Sequence, residues 1–199
     1  MADMEKTGKN LEGRGFRVHR FATGAEAADY LVQTLHGTSI GIGGSVTIDT
    51  LGVYDRLCES NEVFWHWKNH APETRERAGK AETYLCSANG VSENGEIVNI
   101  DGFGNRVAGT IYGPERVFLV VGKNKIAPDL NGAIDRARNI AAPLNARRLN
   151  RHTPCAVGEP RCHDCCSPEK VCGVMTVFFM PPTSIKEFHV LLVNEDLGY

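Results

Sequence analysis

What this chain of 199 residues lacks narrows it first. No stretch approaches the roughly 18 consecutive apolar residues that span a bilayer, so no transmembrane helix is expected. The opening stretch, MADMEKTGKNLEGRGF, is polar and has no apolar centre of the kind a secretion signal needs, which points to a cytoplasmic location. Formal net charge is only −2, so no one-signed field draws the chain to nucleic acid or a membrane surface. There is no repeat and no low-complexity linker. At this length a single domain with a substantial core is expected. Apolar content of 42% and charged content of 23% are ordinary for a globular protein.

Cysteine is not scarce: there are seven, and five fall in TPCAVGEPRCHDCCSPEKVCG, residues 153–173. An odd total, in a compartment that keeps thiols reduced, argues against a disulfide framework. Cys155, Cys162, Cys165 and Cys172 follow a Cys-x6-Cys-x2-Cys-x6-Cys spacing. Four thiolates can enclose zinc in a tetrahedral site or hold an iron–sulfur cluster. The central Cys-x2-Cys can grip one metal with little strain, and Gly158-Glu159-Pro160 and Ser167-Pro168-Glu169 can turn the outer pair back. Cys166 and His163 are alternate ligands, and a reduced loop without metal is the third option.

The remaining segments alternate between helical and strand patterns. Residues 1–15 read as loose. AEAADYLVQTLH has apolar residues at helical spacing, with Thr23 as N-cap. Ser39–Ile42 reads as a short buried strand, Gly43-Gly44 as a tight turn, and Val46–Leu57 as a helix capped by Ser45. ETRERAGKA reads as a short helix. From ETYLCSANG to TIYG, turn pairs at Asn94-Gly95, Asp101-Gly102 and Gly104-Asn105 predict a meander of hairpins. VFLVVG is a continuous apolar run, as for a strand covered on both faces. Residues 130–148 form one helical face, with Pro143 expected to kink or break it. VMTVFFM and EFHVLLVNED read as two further buried strands. This order predicts a three-layer α/β/α domain with a mostly parallel sheet.

Those placements single out the chemistry-bearing candidates. GIGGS joins a strand to a helix, where glycines let a ligand approach the backbone and a helix start favours an anion. It is neither a P-loop nor a dinucleotide fingerprint, and close packing alone also explains it. Lys123 and Lys125 come after a buried strand, and the carboxyl ends of such strands are where open α/β sheets bind ligands. Glu93, in SENG, is a carboxylate at a hairpin turn, suited to a nucleophile or base and equally to a solvated turn. Asn105 and Arg106 can hold a carboxylate through the guanidinium fork or brace a turn. His66 and His70 stand four apart, Trp65 and Trp67 can line a pocket, and Arg136, Arg138, Arg147, Arg148 and Arg151 form a basic cluster.

Taken together, GIGGSVTIDTLG, the long stretch from ETYLCSANG to VVGKNKI, RNIAAPLNARRL, TPCAVGEPRCHDCCSPEKVC and VLLVNEDLG resemble the LUD domain family, the lactate utilization proteins of LutC and LutB type. The resemblance runs from about residue 24 to the C-terminus. It leaves residues 1–23 as an extension, partly flexible, and makes 24–199 the domain, with the cysteine loop inside it. It implies a NagB/RpiA/CoA-transferase-like fold and a link to oxidation of L-lactate to pyruvate beside iron–sulfur oxidoreductase subunits. The expected ligand is a small anionic metabolite in a pocket built by Gly43, Gly44, Ser45, Asn105, Lys123 and Lys125. A homo-oligomer is compatible with that picture. Ser92-Glu93-Asn94-Gly95 is also similar to the sequence around the active-site glutamate of class I CoA transferases, which would make Glu93 catalytic in an independent enzyme. A third reading is a metal-dependent regulator or scaffold.

Overall fold

Two unbroken apolar runs, VFLVVG and HVLLV, set the centre of the fold. The computed structural model describes residues 3–199. In chain order its elements are α1 (Met4–Gly13), β1 (Arg17–Phe21), α2 (Gly24–Thr34), β2 (Ser39–Ile42), α3 (Val46–Leu51), α4 (Tyr54–Cys58), β3 (Glu62–Trp65), α5 (Thr74–Gly79), β4 (Thr83–Ser87), β5 (Gly90–Ser92) and β6 (Ile97–Asp101). Next come α6 (Asn105–Ile111), β7 (Arg116–Gly122), β8 (Ile126–Ala127), α7 (Leu130–Arg136), α8 (Ala142–Arg148), α9 (Pro154–Val157), β9 (Val174–Phe178) and β10 (Glu187–Val193).

The main sheet has the order β1-β10-β7-β4-β2-β3, and every pairing in it is parallel. Side chains on its central strands alternate between two cores. Phe118, Val120, Leu191 and Val193 pack against Ala27, Leu31, Ile48 and Leu57 from α2, α3 and α4. Val117, Leu119, Val121, Val190 and Leu192 pack the other way, against Leu11 of α1, Phe16, Ile97 and Phe178. Because both faces are covered, β7 and β10 read as unbroken apolar runs rather than alternating ones. This is the expected three-layer α/β/α arrangement. A smaller sheet, β8-β5-β6-β9, carries α7 and α8 on a third apolar cluster.

Several local expectations are corrected. Of the stretch expected to be loose, residues 1 and 2 lie outside the described residues, and residues 3–15 are ordered: Asp3 caps α1, its side chain accepting the Lys6 N–H at 2.9 Å, and Leu11 is fully buried. Strand β1, also inside the supposed extension, pairs with β10. The helix expected over Val46–Leu57 is two helices, because Gly52 adopts a left-handed conformation (φ 63°) that closes α3. The hairpin meander ends at β6. Asp101 Oδ2 accepts the N–H groups of Arg106 and Val107 at 3.0 and 3.1 Å, so Asn105–Ile111 forms α6 where strands were expected. Strand β9 is only partly buried, with Phe178 in the core; it lies at an edge of the small sheet, antiparallel to β6. The helix is interrupted near Pro143, as expected: α7 ends at Arg136 and Pro143 stands in the first turn of α8. A π-helical stretch, Ala137–Ala141, precedes it and absorbs the missing N–H and the clash a proline imposes one turn back.

A histidine pair lies against the first core, with His189 buried and His19 half-buried. His189 Nδ1 lies 3.0 Å from His19 Nε2, and the His189 ring stacks on Phe118 with centroids 4.2 Å apart. Tyr30 Oη reaches His19 Nε2 at 3.2 Å, while Glu187 lies 3.3 Å from His189 Nε2. Burial holds both imidazoles below their ordinary value, and Arg17 adds to the effect on each. For His189 burial outweighs the opposing pull of Glu187. The unfolded chain therefore takes up protons below its ordinary value of about 6.5 that the folded chain refuses, and stability falls as pH drops from there toward the depressed folded values. Urea midpoints measured between pH 7 and 5 should decline, and His189→Asn should flatten that decline. An unchanged slope in the variant would remove His189 from the account.

Candidate functional site

Parallel pairing places the carboxyl ends of β2, β4 and β7 on one edge of the sheet, where open α/β sheets form their crevices. Each of these strands runs into a polar segment: the GIGGS turn into α3 after β2, Ser87-Ala88-Asn89 after β4, and Lys123–Lys125 after β7. The start of α6, the side of α8, Tyr199 and residues 168–171 complete the walls of a cleft of about 610 Å³.

Lys125 forms the floor. It is 2% exposed, and its Nζ donates to Thr47 Oγ1 and Ser87 Oγ, both at 2.7 Å. Ser87 Oγ in turn donates to the Val120 carbonyl at 2.6 Å and Thr47 Oγ1 to that of Leu197 at 3.3 Å. Burial, then the charges of Arg136 and Arg106, hold the Lys125 amine well below the usual lysine range. Arg106 sends Nη1 to the Ser87 carbonyl (3.2 Å) and Asn99 Oδ1 (2.8 Å), and Nη2 to Asn89 Oδ1 (2.7 Å) and the Ile100 carbonyl. Arg136 donates from Nε to the Asn124 carbonyl at 2.7 Å and from Nη1 to that of Asn89. Burial pushes it down to about 10. Lys125, Arg106 and Arg136 are thus all held by neutral oxygens, and none forms an ion pair among the described residues.

The rim repeats that imbalance. Arg75 lies over the Phe103 ring at 5.1 Å, and Arg148 stacks on Trp67 at 4.6 Å while donating to Tyr199 Oη at 2.7 Å. Arg151 and Lys170 also line the cleft. The two carboxylates there are already engaged. Asp101 accepts the amides of Phe103, Arg106 and Val107, and Glu169 accepts that of His152 at 2.9 Å. His66, its Nδ1 buried without a partner, is held low by burial and by Arg75. A recessed cleft with surplus cations is suited to an anion, since charge interactions strengthen as the local dielectric falls.

Of the six residues expected to build the pocket, Gly44, Ser45, Asn105 and Lys125 line this cleft. Gly43 sits just behind it, where an added Cβ would come within 3.0 Å of Arg106 Cγ and Tyr84 Oη. Lys123 is exposed and outside the lining, with its N–H on the Glu195 carbonyl at 3.0 Å. Glu93 is away from the cleft altogether. Its carboxylate accepts the Asp3 N–H at 3.0 Å and Lys6 Nζ at 3.1 Å, and those bonds hold it below the usual carboxylate range. Thr47, Ser87, Asn89, Arg75 and Tyr199 were not singled out; only the Ser87-Ala88-Asn89 step at the end of a buried strand carried a usable signal.

The cysteine loop adjoins the cleft, since Pro168, Glu169, Lys170 and Val171 are part of its wall. Cys162 Sγ accepts from Arg138 Nη2 at 3.3 Å and from the Asp164 N–H at 3.4 Å. Cys172 packs against the third apolar cluster. Its thiol is pushed up by burial and by Cys162, Cys165 and Cys155. Cys166 is exposed, and His163 Nε2 instead approaches the Glu159 carbonyl at 3.4 Å. Among the described residues no three His, Cys, Asp or Glu side chains stand close enough to hold a metal ion. No helix among them is long and apolar enough to cross a membrane.

The model of the LUD domain matches residues 4–193 of the chain. In three dimensions the chain is similar to the crystal structure of a DUF162 family protein from Deinococcus radiodurans. Identity is 12% and the TM-score 0.56, covering 96% of this chain and 95% of that chain. No curated protein matches significantly in sequence.

A buried amine opposed by two guanidinium groups should cost stability in the empty protein, as functional sites commonly do. Lys125→Met should therefore raise the denaturation midpoint, by about 1 kcal/mol in unfolding free energy. A lower midpoint would make Lys125 a structural brace between Thr47 and Ser87.

Proposed function

The chain belongs to the LUD domain family, and we propose from that premise that its cleft binds a small carboxylate metabolite, a 2-hydroxy or 2-oxo acid. In this reading the protein is accessory to oxidation of L-lactate to pyruvate, beside iron–sulfur subunits that take the electrons. The observation that carries it is the uncompensated positive charge of the cleft. Arg106, held by neutral oxygens, lines the cleft with Arg75, Arg148, Arg151 and Lys170, and the acidic residues at the rim accept backbone amides. A carboxylate supplies the missing charge, and the oxygen at C2 is chemically matched to the hydroxyls and amine on the floor. Glu93, tied to α1, gives no support to a transferase working from this cleft.

The cysteine loop belongs to the same proposal. Cys155, Cys162, Cys165 and Cys172 are the donors for zinc or an iron–sulfur cluster, both of which favour thiolates. The guanidinium of Arg138 and the amide of Asp164 are both directed at Cys162 Sγ. Since no three donors among the described residues stand within metal reach, loading would draw the loop inward and shift the Pro168–Val171 wall with it. Zinc there would be structural; a cluster would add a site for one electron.

Two measurements test these readings. L-Lactate and pyruvate should raise the melting temperature in a saturable way that glycerol does not reproduce. Arg148→Ala should weaken that binding by on the order of tenfold, the size of a charge-assisted hydrogen bond. Absence of stabilisation by any 2-hydroxy or 2-oxo acid would end the proposal. For the loop, protein purified without oxygen should carry either zinc, or iron matched by sulfide, and Cys172→Ala should lose it. Metal-free protein with all thiols titratable would show the loop to be thiol-only.

A further inference from the structure

The bonding at Lys125 specifies more than a positive charge. Ser87 Oγ and Thr47 Oγ1 each commit their own hydrogen to a backbone carbonyl, Val120 and Leu197 respectively. Toward Lys125 both hydroxyls can therefore only accept, and they take two of its N–H bonds at 2.7 Å each. A neutral amine has two N–H bonds and one lone pair. With both N–H bonds placed, the remaining tetrahedral position on nitrogen has no partner among the described residues, and Lys125 lines the cleft. No carboxylate pairs with it there to hold a third proton, while Arg106 and Arg136 oppose one. Ordinary lysines on the surface keep that proton and are poor nucleophiles; an amine relieved of it is reactive at neutral pH.

We propose that Lys125 is a nucleophile that forms an imine with the carbonyl carbon of a 2-oxo acid bound in the cleft. This rests on the ligand class proposed above. The nitrogen lone pair forms a bond to C2, and the carbonyl π electrons move to oxygen. A proton passes from nitrogen to that oxygen to give the carbinolamine. The hydroxyl then leaves with a second proton as water while the C=N bond forms. Amine and ketone give imine and water, with no change of oxidation state. Any protonated imine would place a positive charge beside Arg106 and Arg136, which the carboxylate of the acid, bound next to C2, offsets. Simple amines and hydroxy acids cannot enter this step, so it separates 2-oxo acids from their reduced partners in the same cleft.

The test is reductive trapping in the full-length chain. Protein is incubated at pH 7 with pyruvate and sodium cyanoborohydride, and the adduct is located by peptide mass mapping. One reduced pyruvyl group should appear at Lys125, at least tenfold faster than at any other lysine. Lys125→Arg should abolish that adduct, and Lys123→Arg should leave trapping at Lys125 unchanged. Stabilisation by lactate and pyruvate without an adduct at Lys125 would overturn the inference and leave the ligand class standing, with the lysine as a charged contact. Adducts spread evenly over surface lysines would overturn it as well. Selective trapping at Lys125 without stabilisation by lactate would uphold it and restrict the ligand to 2-oxo acids. Neither trapping nor stabilisation would remove both proposals.

Discussion

Parallel pairing of β7 with β10 on one side and β4 on the other is the constraint from which the site arises. A parallel sheet must be buried on both faces, which demands the apolar runs at its centre and leaves no room there for charge. Polar residues are pushed to the strand ends. Because all six strands run the same way, the carboxyl ends meet on one edge, and Ser87, Lys125 and the turn after β2 become neighbours though far apart in sequence. The helices that cover the faces, and the small sheet behind them, then have only to wall in what the topology has already gathered.

Within that edge the balance between charge and hydrogen bonding decides the character of the cleft. Arg106 and Arg136 are saturated by carbonyl and amide oxygens, which satisfy their donors without cancelling their charge. Asn89 contributes twice, through its side chain to Arg106 and through its carbonyl to Arg136. A carboxylate at position 89 or 99 would have paired with Arg106 and offset its charge. Neutral acceptors instead leave a fixed positive field in place before any ligand arrives, the preorganisation that makes electrostatic recognition effective.

The layer architecture was legible in the sequence because burial writes itself directly into composition: VFLVVG and HVLLV could be little else but covered strands. The capping residues Thr23 and Ser45 were legible for the same local reason, each accepting the N–H three residues on. Four of the six residues expected in the pocket do line the cleft, through the rule that ligands meet strand ends. What escaped was set by tertiary context. Asp101 turns a glycine-rich run into α6 by accepting amides that no hairpin would leave free. The polar opening stretch becomes α1 because Leu11 has a core to enter and because Asn10 and Arg14 reach the Glu93–Asn94 turn. Lys123 and Lys125 are indistinguishable by pattern, and only the 3₁₀ turn that holds them decides which one is buried.

The strand order also has a consequence for how the molecule comes together. β10, late in the chain, lies between β1, near its beginning, and β7. Until residues 187–193 are in place, β1 has no neighbour in the main sheet and β7 presents an open, apolar edge. The sheet therefore closes at its middle, and closes late, with contacts spanning almost the whole sequence. Such non-local closure slows folding and leaves a sticky edge exposed meanwhile. Assembly during synthesis must wait for the last strand, and a chain arrested before it would offer its bare edge to any passing strand.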